Sequence, residues 1–311
     1  MTADQATAQD RARRTAKPGR RRLDAPPLGF RILKGILLTV ICAAVVLPFL
    51  GIVSTSLATR EQITAAGGFV LFPTEINFSS YASIFAGGVV SRAMGVSIGI
   101  TVVGTAVALF ASSLLAYAVS RQGSFGQKPI LMLILLSLLF TPGLIPSYLL
   151  VKELGLLDSY LALILPTALS AFNVIVLRAF FMGIPGELTD SARIDGAGHL
   201  TVFLRIVLPL SKAVLAVIGL FYAVGYWNAF FNALIYINDP GKWPLQLVLR
   251  TYVVNNTEIG AADLGAASEV LPPQRSIQMA ILVVTMVPIL LVYPFLQRHF
   301  AKGVLTGAVK G

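Results

Sequence analysis

The segment GIPGELTDSARIDGAGHLTVFLRIVLP, residues 183–209, separates two long apolar blocks, and the reading of the whole chain turns on it. Pro185 suits the first turn of a helix, where its missing N–H costs nothing, and Glu187 and Asp190 lie near that helix's positive end. Asp190 and Arg193 stand one turn apart and can pair. Ser191, Ala192, Gly196 and Ala197 are small enough for another surface to approach closely. Gly196 and Gly198 supply the backbone freedom that ends or bends a helix. The pattern predicts a short amphipathic helix, followed by a second one reaching Pro209. A solvated connecting loop accounts for the same residues, and taken alone they leave both readings open.

On either side the chain is too apolar for a water-soluble domain. Hydrophobic residues make up 56% of its 311 positions and charged residues 12%, against roughly a quarter charged in soluble domains. The mean hydropathy is +0.80. The apolar residues fall in blocks at about 32–57, 93–119, 129–150, 160–181, 209–236 and 277–296. Each is near or above the ~20 residues a helix needs to cross the hydrocarbon. Backbone facing lipid must satisfy its own hydrogen bonds, so blocks of this kind are helices. The ~10-residue alternation of barrel strands is not seen. The expected fold class is therefore an all-α polytopic membrane protein with six transmembrane helices. A cleaved leader at Ser56-Leu57-Ala58 is the competing reading of the first block. The block is longer than an h-region and follows an unusually long basic leader, so an uncleaved anchor is expected. Pro48, Pro142, Pro146, Pro166, Pro288 and Pro294 fall inside blocks. Kinks around a path and the ordinary frequency of proline in membrane helices explain them equally well.

Charge sets the orientation. Nine basic residues precede position 35: Arg11, Arg13, Arg14, Lys17, Arg20, Arg21, Arg22, Arg31 and Lys34. No aromatic residue is interleaved among the arginines of the tail, so a nucleic-acid platform is not expected. A topology signal that also touches anionic membrane lipid is the simpler reading. With the N-terminus in the cytoplasm, the inner segments also hold Arg121, Lys128, Arg193, Arg205, Arg298, Lys302 and Lys310. The outer loops 58–91, 151–159 and 238–276 hold Arg60, Lys152, Lys242, Arg250 and Arg275 against eight acids. Both termini are expected inside, with residues 1–30 as a disordered basic tail, 31–300 as the membrane domain and 301–311 as a second tail.

Some chemistries are missing. No Asp or Glu sits at the middle of a block, where ion-coupled carriers need relays or ligands. An ion-coupled carrier or channel is the alternative that this disfavours. Arg178 and Lys212 lie near the cytoplasmic block ends and can snorkel. Cys42 is a lone cysteine, and His199 and His299 have no ligand spacing, so neither a metal site nor an enzyme is expected. The P-loop pattern GxxxxGK[ST] is absent, so a pump built on this chain needs another subunit to hydrolyse nucleotide.

The 183–209 segment resembles the EAA loop of ABC importer permeases: EAA, three residues, Gly, nine residues, Ile, one residue, Leu-Pro. Asp190-Ser191-Ala192 stands at the EAA positions, Gly196 at the glycine, and Ile206, Leu208 and Pro209 at the end. Asp for Glu and Ser for Ala depart from the pattern, conserving charge and size respectively. Arg193–Ala197, the run 226–234 (YWNAFFNAL) and the run 141–148 (TPGLIPSY) are similar to the carbohydrate branch, MalG-like and of the LplC/YtcP oligosaccharide type. The C-terminal GVLTGAVKG, 303–311, resembles the tail of the same permeases. The resemblance implies the type I ABC importer permease fold in a bacterial inner membrane. It makes residues 182–209 a coupling loop in which Glu187, Asp190, Ser191, Ala192, Arg193, Asp195 and Gly196 meet an ATPase subunit. It places Thr306, Gly307 and Lys310 at the ATPase dimer. It implies as partners a second homologous permease, two ABC ATPases and an external sugar-binding protein. ATP and Mg²⁺ sit on those partners, and this chain binds no cofactor.

A sugar path needs aromatic faces with amides and hydroxyls beside them. Tyr226, Asn228 and Asn232 in the fifth block and Asn173 in the fourth are the candidates. Interfacial aromatics and polar residues that hold helices together give the same composition, and that reading stays open.

Overall fold

The structure is a computed structural model that describes residues 28–308 apart from 122, 259, 261–262 and 264–271. Two compact units divide the chain, 1–50 and 51–311. In the first, helix α1 (Leu28–Ser56) starts at Leu28 and carries Pro48 without a break. It therefore takes in Leu28 to Phe30, which the sequence assigned to a tail; the rest of that expected tail lies outside the described residues.

In the second unit, α2 (Arg60–Ala65) and α3 (Ser79–Ala86) precede the long α4 (Val89–Ser120). Then come α5 (Gln127–Leu139), α6 (Leu144–Glu153), α7 (Leu161–Thr167) and α8 (Ala171–Met182). They are followed by α9 (Gly186–Ile194), α10 (His199–Leu210), α11 (Lys212–Trp227) and α12 (Phe231–Tyr236). α13 (Leu245–Val254) and α14 (Gln274–Ala308) complete the described chain, in which no strand forms among the described residues. α1, α4 and the Gln274–Pro294 part of α14 are each long and apolar enough to cross a membrane. The pairs α7–α8, bent by 52°, and α10–α11, bent by 85°, raise the number to five if each is one span.

Four expected helices differ from the sequence reading, and the fourth block is one of them: it breaks between Thr167 and Ala171, where Pro166 and the capping Ser170 bend it. The third block is not continuous: α5 stops at Leu139 and α6 starts at Leu144. Pro142 has no N–H to give and restricts Thr141, while Gly143 takes a left-handed φ of +82°. The fifth block turns at Ser211, whose N–H is shared between the carbonyls of Val207 at 3.0 Å and Leu208 at 3.1 Å. It then ends at Trp227 instead of running to residue 236. The last block continues as helix to Ala308, so Thr306 and Gly307 lie in its final turns and Lys310 lies outside the described residues.

The main core forms where α4 meets α8 and α11. Gly104, Ala108, Ser112 and Ala116 recur every fourth residue on α4, and all four are buried. This small-residue face lets α11 approach closely enough for side-chain packing to replace the hydrophobic drive that lipid does not supply. A second cluster joins Ile84 of α3, Val90 and Ala93 of α4, Trp227, Leu245 and Val248 to Ile277 and Ile281 of α14. Hydroxyls hold the same end. Ser80 Oγ lies 2.7 Å from Ser276 Oγ, and Ser276 donates to the Ser56 carbonyl at 3.1 Å.

Candidate functional site

Helix α9 is built by its ends. Pro185 precedes it, Glu187 sits in its first turn and Arg193 in its last, each favourable to the helix dipole. At the C-terminus the Gly196 N–H bonds to the Arg193 carbonyl at 3.0 Å, and the Ala197 N–H to the Ala192 carbonyl at 2.8 Å. With Gly196 at φ +83° this is a Schellman closure, which needs a residue that tolerates the left-handed region. Asp190 and Arg193 form an ion pair at 3.5 Å between exposed side chains, worth little in stability. Ile184, Ala192 and Ala197 lean on the core, whereas Glu187, Asp190, Ser191, Arg193, Asp195 and Gly196 are exposed. Ile194 is 87% exposed, a large apolar side chain left uncovered among the described residues.

The segment after α9 is tied to the end of α4. Tyr117 O–H donates to the His199 carbonyl at 3.3 Å, and the Arg121 guanidinium meets His199 Nδ1. Arg178 has a partner within the chain: its Nε donates at 3.0 Å to the Val119 carbonyl, one of the open acceptors where α4 ends. A cation there also matches the negative end of the dipole.

A second feature lies where α7, α8 and α11 converge. A cavity of about 390 Å³ is lined by Thr167, Ser170, Asn173, Tyr222, Tyr226 and Asn232, with Phe172 and Phe221 beside them. The bend between α7 and α8 makes room for it. The tyrosines hold that bend: Tyr226 O–H donates to the Ile164 carbonyl at 3.1 Å. The Tyr222 oxygen accepts the Ser170 N–H at 3.0 Å and lies 2.5 Å from Ser112 Oγ. With the phenols engaged, the amides remain. Asn173 is 5% exposed, and its side chain makes no hydrogen bond among the described residues. Asn173, Tyr226 and Asn232 thus share one cavity. Asn228 does not join them, because α11 has ended: its Nδ2 donates back to the Val224 carbonyl at 3.0 Å and its Oδ1 faces Gln246. Thr167 and Ser170 were missed by the sequence reading, although a Pro166-Thr167 break followed by a capping serine is a legible bend signal.

The comparisons with known proteins agree in kind. The family model "Binding-protein-dependent transport system inner membrane component" matches residues 108–306. The Bacillus subtilis polygalacturonan/rhamnogalacturonan transport system permease protein YtcP is 47% identical over 86% of this chain and 93% of its own length. Protein LplC of the same organism is 49% identical over 86% of this chain and 90% of its own. A solved structure of a bacterial ABC transporter involved in import of the acidic polysaccharide alginate contains a chain of similar fold. Its TM-score is 0.81 at 29% identity, covering 87% of this chain and 96% of that one. On the all-helical fold and these matches together, this chain belongs to the binding-protein-dependent transport system inner membrane components, the permease subunits of ABC importers.

Proposed function

We propose that this chain imports an oligosaccharide as one of two homologous permeases, working with two ABC ATPases and an external sugar-binding protein. It crosses the bacterial inner membrane six times, with both termini in the cytoplasm. Three long helices and two bent pairs account for five crossings; α5 and α6, broken at 140–143, together make the sixth. The excess of basic residues in the segments then inside favours that orientation. ATP and Mg²⁺ belong to the partner ATPases, and this chain needs no cofactor of its own. The last residues, with Thr306, Gly307 and Lys310, reach toward the ATPase dimer.

In this reading α9 is the coupling helix. The observation that carries it is Ile194, 87% exposed at the tip of a helix closed by a Schellman turn. An apolar knob on a polar helix wants a pocket, and the ATPase supplies one. The sugar passes the cavity of Asn173, Tyr226 and Asn232, whose unpaired amides suit hydroxyl ligands. The names of YtcP and of the alginate transporter favour an oligosaccharide carrying uronic acids.

The test is Ile194→Asp in the reconstituted importer. The side chain is largely uncovered among the described residues, so the fold should persist while recovery of the ATPase and ATP-driven uptake both collapse. Uptake at the normal rate in that variant would overturn the coupling role.

A further inference from the structure

Residues 66–78, AGGFVLFPTEINF, follow α2 as a loop whose backbone is pinned and whose largest apolar side chains are left uncovered. The Val70 N–H donates to Thr55 Oγ1 at 2.9 Å, and the Thr55 hydroxyl donates to the Val70 carbonyl at 3.3 Å. The Asn77 N–H donates to the Leu57 carbonyl at 2.8 Å, and Gln62 Nε2 to Thr74 Oγ1 at 2.8 Å. Val70 is buried with Ala58 and Ile63 in a small core of its own. Yet Phe72, Ile76 and Phe78 are 77%, 66% and 64% exposed. A loop tied at these points holds its apolar side chains out by construction, and water is a poor solvent for three of them so close in sequence.

The level of the loop follows from α1. Lys34 is the last charged residue of that helix. About 20 residues of helix cover the hydrocarbon, so its far boundary falls near Ser54, where Ser54, Thr55 and Ser56 end the apolar run. Thr55 and Leu57, which anchor the loop, therefore stand at the headgroup boundary. Phe69 reaches deeper: its ring lies so close to Gly51 that a Cβ there would collide with it. Gly51 is about 5 Å farther in than Ser54. Aromatic and aliphatic side chains held at this level suit the boundary between headgroups and acyl chains.

We propose that residues 66–78 are a lipid anchor, lying in the headgroup layer of the leaflet away from the N-terminus, with Phe72, Ile76 and Phe78 among the acyl chains. The anchor fixes the depth at which α1 ends and α3 begins. It goes beyond the importer reading and takes from it only that α1 crosses the membrane.

The test is a nitroxide on single cysteines of the full chain in nanodiscs. Cys42, exposed and near the midpoint of α1, is labelled in the unaltered chain as the reference for the bilayer interior. Phe72→Cys, Ile76→Cys and Phe78→Cys are labelled in a Cys42→Ala background; all three side chains are exposed, so the fold should tolerate the change. Relaxation by oxygen, which concentrates in lipid, is compared with relaxation by a water-soluble nickel chelate. At all three positions the oxygen-to-chelate ratio should stand several-fold above that of a label in water and below that of Cys42. If one variant does not reconstitute, the other two decide. The same ratios should hold in the assembled importer with its external binding protein added. Labels that meet the chelate as freely as one in water would overturn the anchor. Labels shielded from both reagents in the assembled importer would overturn it too, making the loop a protein contact. A Cys42 label reached by the chelate would instead remove the span on which the inference stands.

Discussion

Asp158 holds the backbone of Asp239: its Oδ1 accepts the Asp239 N–H at 3.0 Å and the Asn238 N–H at 2.9 Å. The contact is reciprocal, since the Asp158 N–H bonds to the Tyr236 carbonyl at 2.8 Å and Lys242 Nζ to the Asp158 carbonyl at 2.9 Å. Asp158 sits at φ +61°, a region that Asp and Asn tolerate better than other side chains. The loop after α6 is thereby clamped to the loop after α12.

The clamp has a pH signature. The Asp239 N–H is the chief reason the Asp158 carboxyl titrates below its usual range; partial desolvation opposes this, and the Asn238 N–H and Lys242 assist. A depressed carboxyl stabilises the fold above its unfolded pKa of about 3.9 and loses that contribution as pH falls through the lower folded value. The melting difference between the parent and Asp158→Ala should therefore be constant from about pH 5 to 8 and shrink in stronger acid. Asp158→Asn, which keeps an acceptor and the left-handed preference, should melt between the two. Thermal unfolding in nanodiscs checks both, and a difference that grows on acidification would contradict the clamp.

Gly104 is the contact point between α4 and Tyr226. A Cβ there would stand 2.9 Å from the phenol ring, and the ring is tethered by its hydroxyl to Ile164. Gly104→Ala should destabilise by about 1–3 kcal/mol through overpacking. The cost should fall in a Tyr226→Leu background, giving a coupling of about 0.5–3 kcal/mol in a double-mutant cycle measured by denaturant. Strictly additive losses would show that the ring can move aside.

What the sequence made legible follows physical locality. Long apolar runs and the capping chemistry around Pro185 and Gly196 are local, and α9 forms between them. Breaks inside apolar runs are not: Pro48, Pro288 and Pro294 stay within helices, while Pro142 followed by Gly143 ends one. Neighbouring packing decides between those outcomes, and no single-residue signal reports it. The candidate path suffered accordingly. Asn173, Tyr226 and Asn232 meet in one cavity, whereas Asn228, a candidate from the same block as Tyr226, falls outside it because the helix stops at Trp227.

Gly196 separates shape from contact. A Cβ at this position meets nothing within 4 Å, so a substitution is felt through φ +83° alone. Gly196→Ala should cost about 1–2 kcal/mol of local helix-end stability, and Gly196→Asn less, since Asn visits the left-handed region. A β-branched Gly196→Val should cost most. Amide exchange at Ala197, whose N–H closes the turn, reads this directly: protection should fall in the order Asn, Ala, Val. Equal protection in all three would mean that the turn is held by something other than the glycine.

The two cavity amides supply the last prediction. Asn173→Leu keeps the branched shape of the side chain and removes a donor and an acceptor that have no hydrogen-bond partner among the described residues. The variant should therefore be about as stable as the parent, while the KM for saccharide uptake by the whole importer rises about tenfold, the loss of roughly one or two hydrogen bonds. Asn232→Leu should raise KM as well, and the pair should lose less than the product of the singles if one sugar ring bridges both amides. The parallel stability measurement separates a ligand role from a packing role. An Asn173→Leu protein that melts several degrees lower with KM unchanged would make Asn173 part of the helix interface and remove it from the path.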